Sequence, residues 1–359
     1  MDAIVLVGGE GTRLRPLTYE TPKQMLPIVG RPMIVHVVEW LASHGVTRVV
    51  LSVGYRPDSF LAAFPSGEIG GIELVYAVEP ELLDTAGAVR FAAESAGVTE
   101  TFLVLNGDVL TDLDATEFLE FHRSHRAEAS IALSPVDDPS AFGVVPTDVD
   151  GRVVAFIEKP PPGEAPTNLI NAGIYVLEAS VLDRIPAGRR VSIERETFPL
   201  LVAARSLYAM ASDAYWLDTG TPQQYLQAQF DLLAGRRRVL ALPPAAEVSP
   251  GVWAAPGAEI AGKVSGASFV GADAVIAGSA VVEDSVVGAR SKVDEGATLR
   301  RSVLLPDVRV AARATVEDSV VGAGASIGPD AHLSGTTVVG ANAEVPAGET
   351  LAGARFPEA

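Results

Sequence analysis

Short apolar runs alternate with longer amphipathic stretches through the first two-thirds of the chain. Ala3–Val7, Arg48–Val53, Glu73–Val78 and Phe102–Leu105 are rich in Val, Ile and Leu and have strand length. Pro32–His44 and Thr85–Ala96 carry the longer period of helices, and Gly45 and Gly97 supply their stops. Continuous apolar strands separated by helices predict an α/β fold with a mostly parallel sheet covered on both faces. Ligands of such sheets bind beyond the carboxyl ends of the strands, so the loops after Val7 and Leu105 are the places to seek chemistry. A last helix opens at Thr221–Pro222 and runs to Leu233, which sets a first domain at residues 1–235. Residues 236–250 hold the basic patch Arg236–Arg238 and three prolines, and read as a linker.

The pattern then becomes a repeat. Val252, Ala258, Val264, Val270, Ile276 and Val282 fall six apart, and Val287, Val293, Leu299, Leu304, Val310, Val316, Val321, Ile327 and Leu333 continue at spacings of five and six. The later spacing closes a coil of 17 residues, and Glu283–Gly288 recurs as Glu317–Gly322 two coils on. Gly, Ala and Ser dominate the remaining positions, as tight corners require, while so much Gly, Ser and Val argues against helix. Residues 251–359 are therefore expected to form a domain that resembles the hexapeptide-repeat left-handed parallel β-helix.

The 359 residues are 48% hydrophobic and 20% charged, enough for two buried cores. The formal charge of −18 repels nucleic acid and anionic membranes, so a polyanionic ligand needs a local cationic site. There is no cysteine, which excludes disulfides and thiolate metal sites. No apolar stretch approaches the ~20 residues of a membrane span. The expected location is cytoplasmic. The five histidines show no metal-ligand spacing and read as surface residues.

The local cationic site appears directly after the first strand. Gly8-Gly9-Glu10-Gly11-Thr12-Arg13-Leu14-Arg15-Pro16-Leu17-Thr18 combines glycines with Arg13 and Arg15, and Lys23 follows in Pro22-Lys23-Gln24-Met25-Leu26-Pro27. Glycines let backbone N–H groups face phosphate oxygens, and the cations offset their charge. Asn106-Gly107-Asp108 closes the strand Phe102–Leu105, where a carboxylate suits a hard cation or simply an Asx-type turn. Asp218, in Tyr215-Trp216-Leu217-Asp218-Thr219-Gly220, stands before the last helix.

This string resembles the signature of sugar-nucleotide pyrophosphorylases, G-G-x-G-T-R-L-x-P-x-T followed by P-K-x-x-L-P. The resemblance spans essentially the whole chain and implies a Rossmann-like nucleotidyltransferase domain ahead of the β-helix. It implies that Leu6, Gly8, Gly9, Gly11, Thr12 and Asn106 bind the nucleotide, that Arg13 and Lys23 act on the phosphates, and that Asp108 and Asp218 ligate Mg²⁺. Gly143, Glu158, Lys159, Asn171 and Gly173 would line the sugar pocket. The chemistry agrees, because nucleotidyl transfer needs positioning and charge neutralisation more than covalent help.

Glu81-Leu82-Leu83-Asp84-Thr85-Ala86-Gly87 resembles the guanylyltransferase element E-P-L-G-T-A-G, which implies base recognition around Glu81, Thr85 and Gly87. A carboxylate can accept from both N1–H and the 2-amino group of guanine. Ser192–Phe198 and the β-helix also resemble mannose-1-phosphate guanylyltransferases. Asp84 replaces the element's glycine, and Gln24 is more at home in thymidylyltransferases. GTP and mannose 1-phosphate are thus the expected substrates. Thymidylyl- or uridylyltransfer, a cyclitol or other specialised sugar phosphate, and a non-catalytic regulatory role are the alternatives. An acyltransferase role for the β-helix is disfavoured, since His332 is its one histidine. The helix is expected to make a homo-oligomer.

Overall fold

The computed structural model describes residues 1–54, 56–237 and 242–358. Arg238 of the expected basic patch, and residues 239–241 of the expected linker, lie outside the described residues. Two compact units result: Met1–Gly9 with Ile34–Trp216, and Glu10–Met33 with Leu217–Ala359. The signature segment after Gly9 thus belongs with the C-terminal half. No helix among the described residues is long and apolar enough to cross a membrane.

In the first unit the elements follow the apolar pattern closely: β1 (Asp2–Leu6), α1 (Met33–Ser43), β2 (Arg48–Val53), β3 (Ile72–Val78), α2 (Asp84–Ala96), β4 (Phe102–Asn106), α3 (Ala115–His125), β5 (Ala129–Pro135), β6 (Leu169–Leu177) and β7 (Leu207–Ala211). The order β6-β4-β1-β2-β3 is parallel from β4 to β3, while β6 runs antiparallel to β4 and to β5. Strands β1 and β4 lie side by side although β2 and β3 come between them in sequence, so the sheet reverses its winding there. A crevice opens at such a point beyond the strand ends. Helix α2 stops at Gly97, whose φ of 65° lets its N–H reach the Ala93 and Glu94 carbonyls. Asp114 caps α3 by accepting from Thr116 and Glu117 N–H.

Two histidines depart from the expected surface role. His36 and His122 are buried. His122 lies between Ser130 Oγ (2.9 Å) and Glu178 Oε1 (3.0 Å), the latter 56 residues away in sequence. In the apolar run Val153–Ile157, which has strand length, only Ile157 joins a strand, Ile157–Glu158 pairing with Gly143–Val144, while Val153 makes an isolated bridge to Thr147.

In the second unit, Pro222–Leu233 forms α4, capped by Thr221 Oγ1 accepting from Gln224 N–H at 3.3 Å. Beyond it three sheets of eight, six and six strands, parallel except for the first strand of the eight, make the left-handed parallel β-helix. Register advances by 17 residues per coil through the middle, as in Val286↔Val303 and Val303↔Val320, and by 18 at Val320↔Val338. Two faces of the first coil are out of the expected phase, while Val264 pairs with Val282 as expected. Ala254, not Val252, aligns with Val270, and Ile260, not Ala258, with Ile276. Its coil is irregular because Ala246–Ser249, expected as linker, pairs antiparallel with Val252–Ala254.

Repetition sets the contacts inside the prism. Val287, Leu304 and Val321 stack inward and are fully buried. At one corner Ser268, Ser285 and Ser302 each accept, through Oγ, the N–H of the residue 17 places on, always at 3.1 Å. Outside, Arg290–Asp307, Arg301–Asp318 and Arg313–Asp330 form two-point ion pairs at the same interval.

Candidate functional site

The crevice in the first unit is shaped by glycines that admit no side chain. A Cβ on Gly107 would lie 2.7 Å from Val7 Cγ1 and 2.9 Å from the Leu6 carbonyl oxygen. The Gly107 N–H instead donates to that carbonyl at 2.9 Å, which pins the Asn106–Asp108 turn to the end of β1. Gly173, at φ 70°, lets β6 pass Asn106, whose Nδ2 would be 2.5 Å from a Cβ there. Asp108 is half-buried just beyond.

Beside this turn lies a pocket of about 260 Å³ lined by Leu6, Gly8, Gly9, Glu79, Leu82, Asp84, Thr85, Ala88 and Arg190. Four residues expected to bind nucleotide therefore meet there: Leu6, Gly8, Gly9 and Thr85. Glu81 is exposed and is not among the lining residues. The carboxylate that does line it is Glu79, which sequence reasoning missed. It is 8% exposed, accepting from Ser52 Oγ (3.0 Å) and from Leu83 N–H (3.0 Å). A polar Ser52 inside an otherwise apolar strand was the available signal. Arg190, also missed, adds the pocket's one lining cation among the described residues.

Asp84 has φ 60°, the left-handed backbone that a glycine adopts freely. Its carboxylate accepts from Thr85 N–H at 2.8 Å, the local bond that makes Asp tolerable there. Thr85 Oγ1 donates to Glu194 Oε2 (2.9 Å) and accepts from Ile193 N–H (2.8 Å). Gly87 permits close packing, since a Cβ would stand 2.7 Å from the Arg189 carbonyl oxygen. Both residues tie the start of α2 to residues 189–194.

The expected sugar-side residues form two groups. Gly143 pairs with Glu158, and a Cβ on it would meet the Phe156 ring at 2.7 Å. Lys159 Nζ lies 3.7 Å from Glu158 Oε1, with both residues exposed. Asn171 Nδ2 donates to the Tyr175 hydroxyl (2.8 Å), and its Oδ1 accepts from Gly173 N–H (3.0 Å). Tyr175 is fully buried, which raises its phenol well above the ordinary value and keeps it neutral.

The cations of the signature loop, Arg13, Arg15 and Lys23, belong to the second unit. Gly11, at φ 63°, packs against Lys23 and Thr18, and its carbonyl accepts from Thr18 Oγ1 at 2.9 Å. That closes the loop around the short helical turn Thr12–Leu14; Thr12 is exposed. Arg13 Nη2 is 3.8 Å from Asp218 Oδ2, yet its side chain stays 60% exposed and open to an anion. Asp218 Oδ1 also accepts from Gly220 N–H at 2.7 Å. A Cβ on Gly220 would fall 2.3 Å from Arg13 Nη2, so a side chain there would displace the guanidinium from this position. Arg15 pairs with Glu10 at 2.8 Å.

Asp108 and Asp218 fall in different units. Among the described residues no three carboxylates or histidines cluster as a metal cage. Each offers carboxylate oxygens, the donor type that hard divalent cations take, and such ions complete their shells with water and substrate phosphates.

Comparison with known proteins extends these observations. Residues 2–235 match the family model described as "Nucleotidyl transferase", and residues 264–356 match "GMPPB C-terminal domain". The chain is 40% identical over 310 residues to a mannose-1-phosphate guanylyltransferase of Mycobacterium tuberculosis, covering 84% of this chain and 83% of that protein. It is 45% identical over 230 residues to mannose-1-phosphate guanylyltransferase 1 of Arabidopsis thaliana, covering 63% of each. HddC from Yersinia pseudotuberculosis, solved in complex with GMP-PN, superposes with a TM-score of 0.55 at 30% identity over 64% of this chain and 97% of that one. A strand-end crevice with a phosphate-type glycine loop, and a family model that spans it, lead to one assignment: the chain belongs to the nucleotidyl transferase family.

Proposed function

We propose that this protein transfers guanylyl from GTP to mannose 1-phosphate, giving GDP-mannose and pyrophosphate. The observation that carries the reading is the guanylyltransferase relative that aligns with 84% of the chain, β-helix included. The pocket beside Gly8 and Gly9 supports it as the base site, with Glu79 as well as Glu81 as candidate readers. The HddC structure, complexed with GMP-PN, supports a guanine nucleotide at this site.

In this reading an oxygen of the sugar phosphate attacks the α-phosphorus in line and pyrophosphate leaves. Arg13 and Lys23 offset the charge that builds on the phosphates. Gly8, Gly9, Gly11 and Thr12 orient the triphosphate. Glu158, Lys159, Asn171, Gly143 and Gly173 receive the sugar. Enzymes of this family generally use a divalent metal. Here Asp108 and Asp218 would hold Mg²⁺, which when bound supplies charge neutralisation between the phosphates. Residues 1–235 act as the catalytic domain and 251–359 as the β-helix domain, and the segment 236–250 that joins them adds the strand Ala246–Ser249 to the β-helix. The β-helix serves assembly into a cytoplasmic homo-oligomer.

A matrix of nucleoside triphosphates against sugar 1-phosphates, scored by pyrophosphate release, tests the substrates. GTP with mannose 1-phosphate should turn over fastest; a clear preference for dTTP or UTP, or for another sugar phosphate, refutes the pairing. Asp108→Asn and Lys23→Ala should each abolish release without unfolding the chain.

A further inference from the structure

One stretch of backbone outside the proposed contact residues is strained and tightly held. Pro27–Ile28 and Arg31–Pro32 pair antiparallel across the two-residue turn Val29–Gly30. Val29 has φ 45° and Gly30 φ 77°. Tight hairpin turns of this kind need positive φ at the centre, which Asn or Gly normally supplies and a β-branched residue resists. Strain of this sort persists only where neighbours over-determine it, and it concentrates at functional sites.

The neighbour here is α4. Gln229 is fully buried, accepts the Val29 N–H through Oε1 at 2.6 Å, and donates from Nε2 to the Pro27 carbonyl at 2.9 Å. Tyr225, equally buried, donates its hydroxyl to the same carbonyl. One amide therefore grips both sides of the turn's entry. The grip is short of Lys23 by only a few bonds: Leu26 N–H donates to the Lys23 carbonyl, and Met33 N–H to the Leu26 carbonyl, both at 3.1 Å. From the other side Thr219, next to Asp218, reaches Met33 Sδ at 3.1 Å.

We propose that Gln229 is a positioning residue for Lys23: it holds Val29 in a left-handed conformation and so fixes the Lys23–Met25 turn. The proposal rests on Lys23 being the phosphate-binding cation described above. Gln229 itself touches no substrate.

The test uses the full chain, with GTP and mannose 1-phosphate and pyrophosphate release as readout. Gln229→Leu keeps a similar volume and removes both hydrogen bonds. It should lower kcat by roughly 10–100-fold, as an ångström-scale misplacement does, with KM for GTP within about 3-fold. In a Val29→Gly background, where the turn needs no clamp, the same substitution should cost less than about 3-fold. An equal loss in both backgrounds, or an unchanged kcat, overturns the proposal. Lys23→Ala is the separate arm: if that variant turns over normally, the reading of Lys23 has failed instead. Should Gln229→Leu not fold, Tyr225→Phe removes a single oxygen from the clamp. A kcat lowered at an unchanged melting temperature supports the clamp, and an unchanged kcat refutes it.

Discussion

In the β-helix the serine at one corner of each coil does the same job as the serine 17 residues before it. At the strand ends of the α/β unit no contact is made twice. Gly107 clears Val7, Gly173 clears Asn106, and Glu79 joins Ser52 to Leu83, each once. A repeated contact distributes stability over many equivalent sites, so each one is dispensable within limits. A contact made once carries geometry that nothing else can supply. Substitutions in the two regions should therefore separate activity from stability.

The largest separation is expected at Arg13. Its side chain is 60% exposed, so Arg13→Ala should leave the melting temperature nearly unchanged. Loss of a cation that stabilises developing phosphate charge should lower kcat by about 10²–10³-fold. Pyrophosphate release measured beside thermal unfolding checks both. Comparable losses of both would mean that the loop is structural and the contrast drawn here is false.

Leu299 should give the opposite result. It is fully buried in the β-helix core, and Leu299→Ala should cost about 2–5 kcal/mol through lost contacts and a cavity. Denaturant melts read that loss. Turnover per folded molecule at low temperature should stay near wild type.

The same contrast explains what could be read from sequence. Strands β1, β2 and β4 were legible because both their faces are buried, which leaves continuous apolar runs. The 17-residue coil was legible because recurrence amplifies a weak signal, and it failed on two faces of the first coil, where the Ala246–Ser249 strand breaks the recurrence. The signature loop was legible as a string of residue types. Glu79, Gln229 and His122 were not, since the partners of a buried polar group arrive from distant segments. Gln229 meets the turn 200 residues away, and His122 meets Glu178 across 56. Nothing in the local pattern around Gln229 separates a clamp from an ordinary polar position on a helix.

Ser302 offers a smaller test of redundancy. Its Oγ accepts the Ser319 N–H and donates to the Arg300 carbonyl at 2.7 Å. Ser302→Ala leaves one buried N–H without that acceptor, for a cost of about 1–3 kcal/mol. If every rung is equivalent, Ser285→Ala should cost the same within about 0.5 kcal/mol, as separate sites of one repeat do. Unequal losses would show that the coils differ in stability.

His122 supplies the pH dependence of the α/β unit, and the smallest expected effect. Burial lowers its imidazole below the ordinary value of 6.5, and the hydrogen bond and charge of Glu178 oppose that only in part. The unfolded chain then binds the proton more readily than the folded one. Stability from this group is full above about pH 6.5 and declines as pH falls through that value toward the folded one. The slope is at most about 1.4 kcal/mol per pH unit, the limit for one proton. His122→Gln keeps a polar side chain between Ser130 and Glu178 and should flatten the decline between pH 7 and 5. The β-helix holds only His332, which is exposed, so this decline belongs to the α/β unit and not to the repeat. A wild-type profile that stays flat over that range would mean that Glu178 holds the imidazolium as well as burial disfavours it.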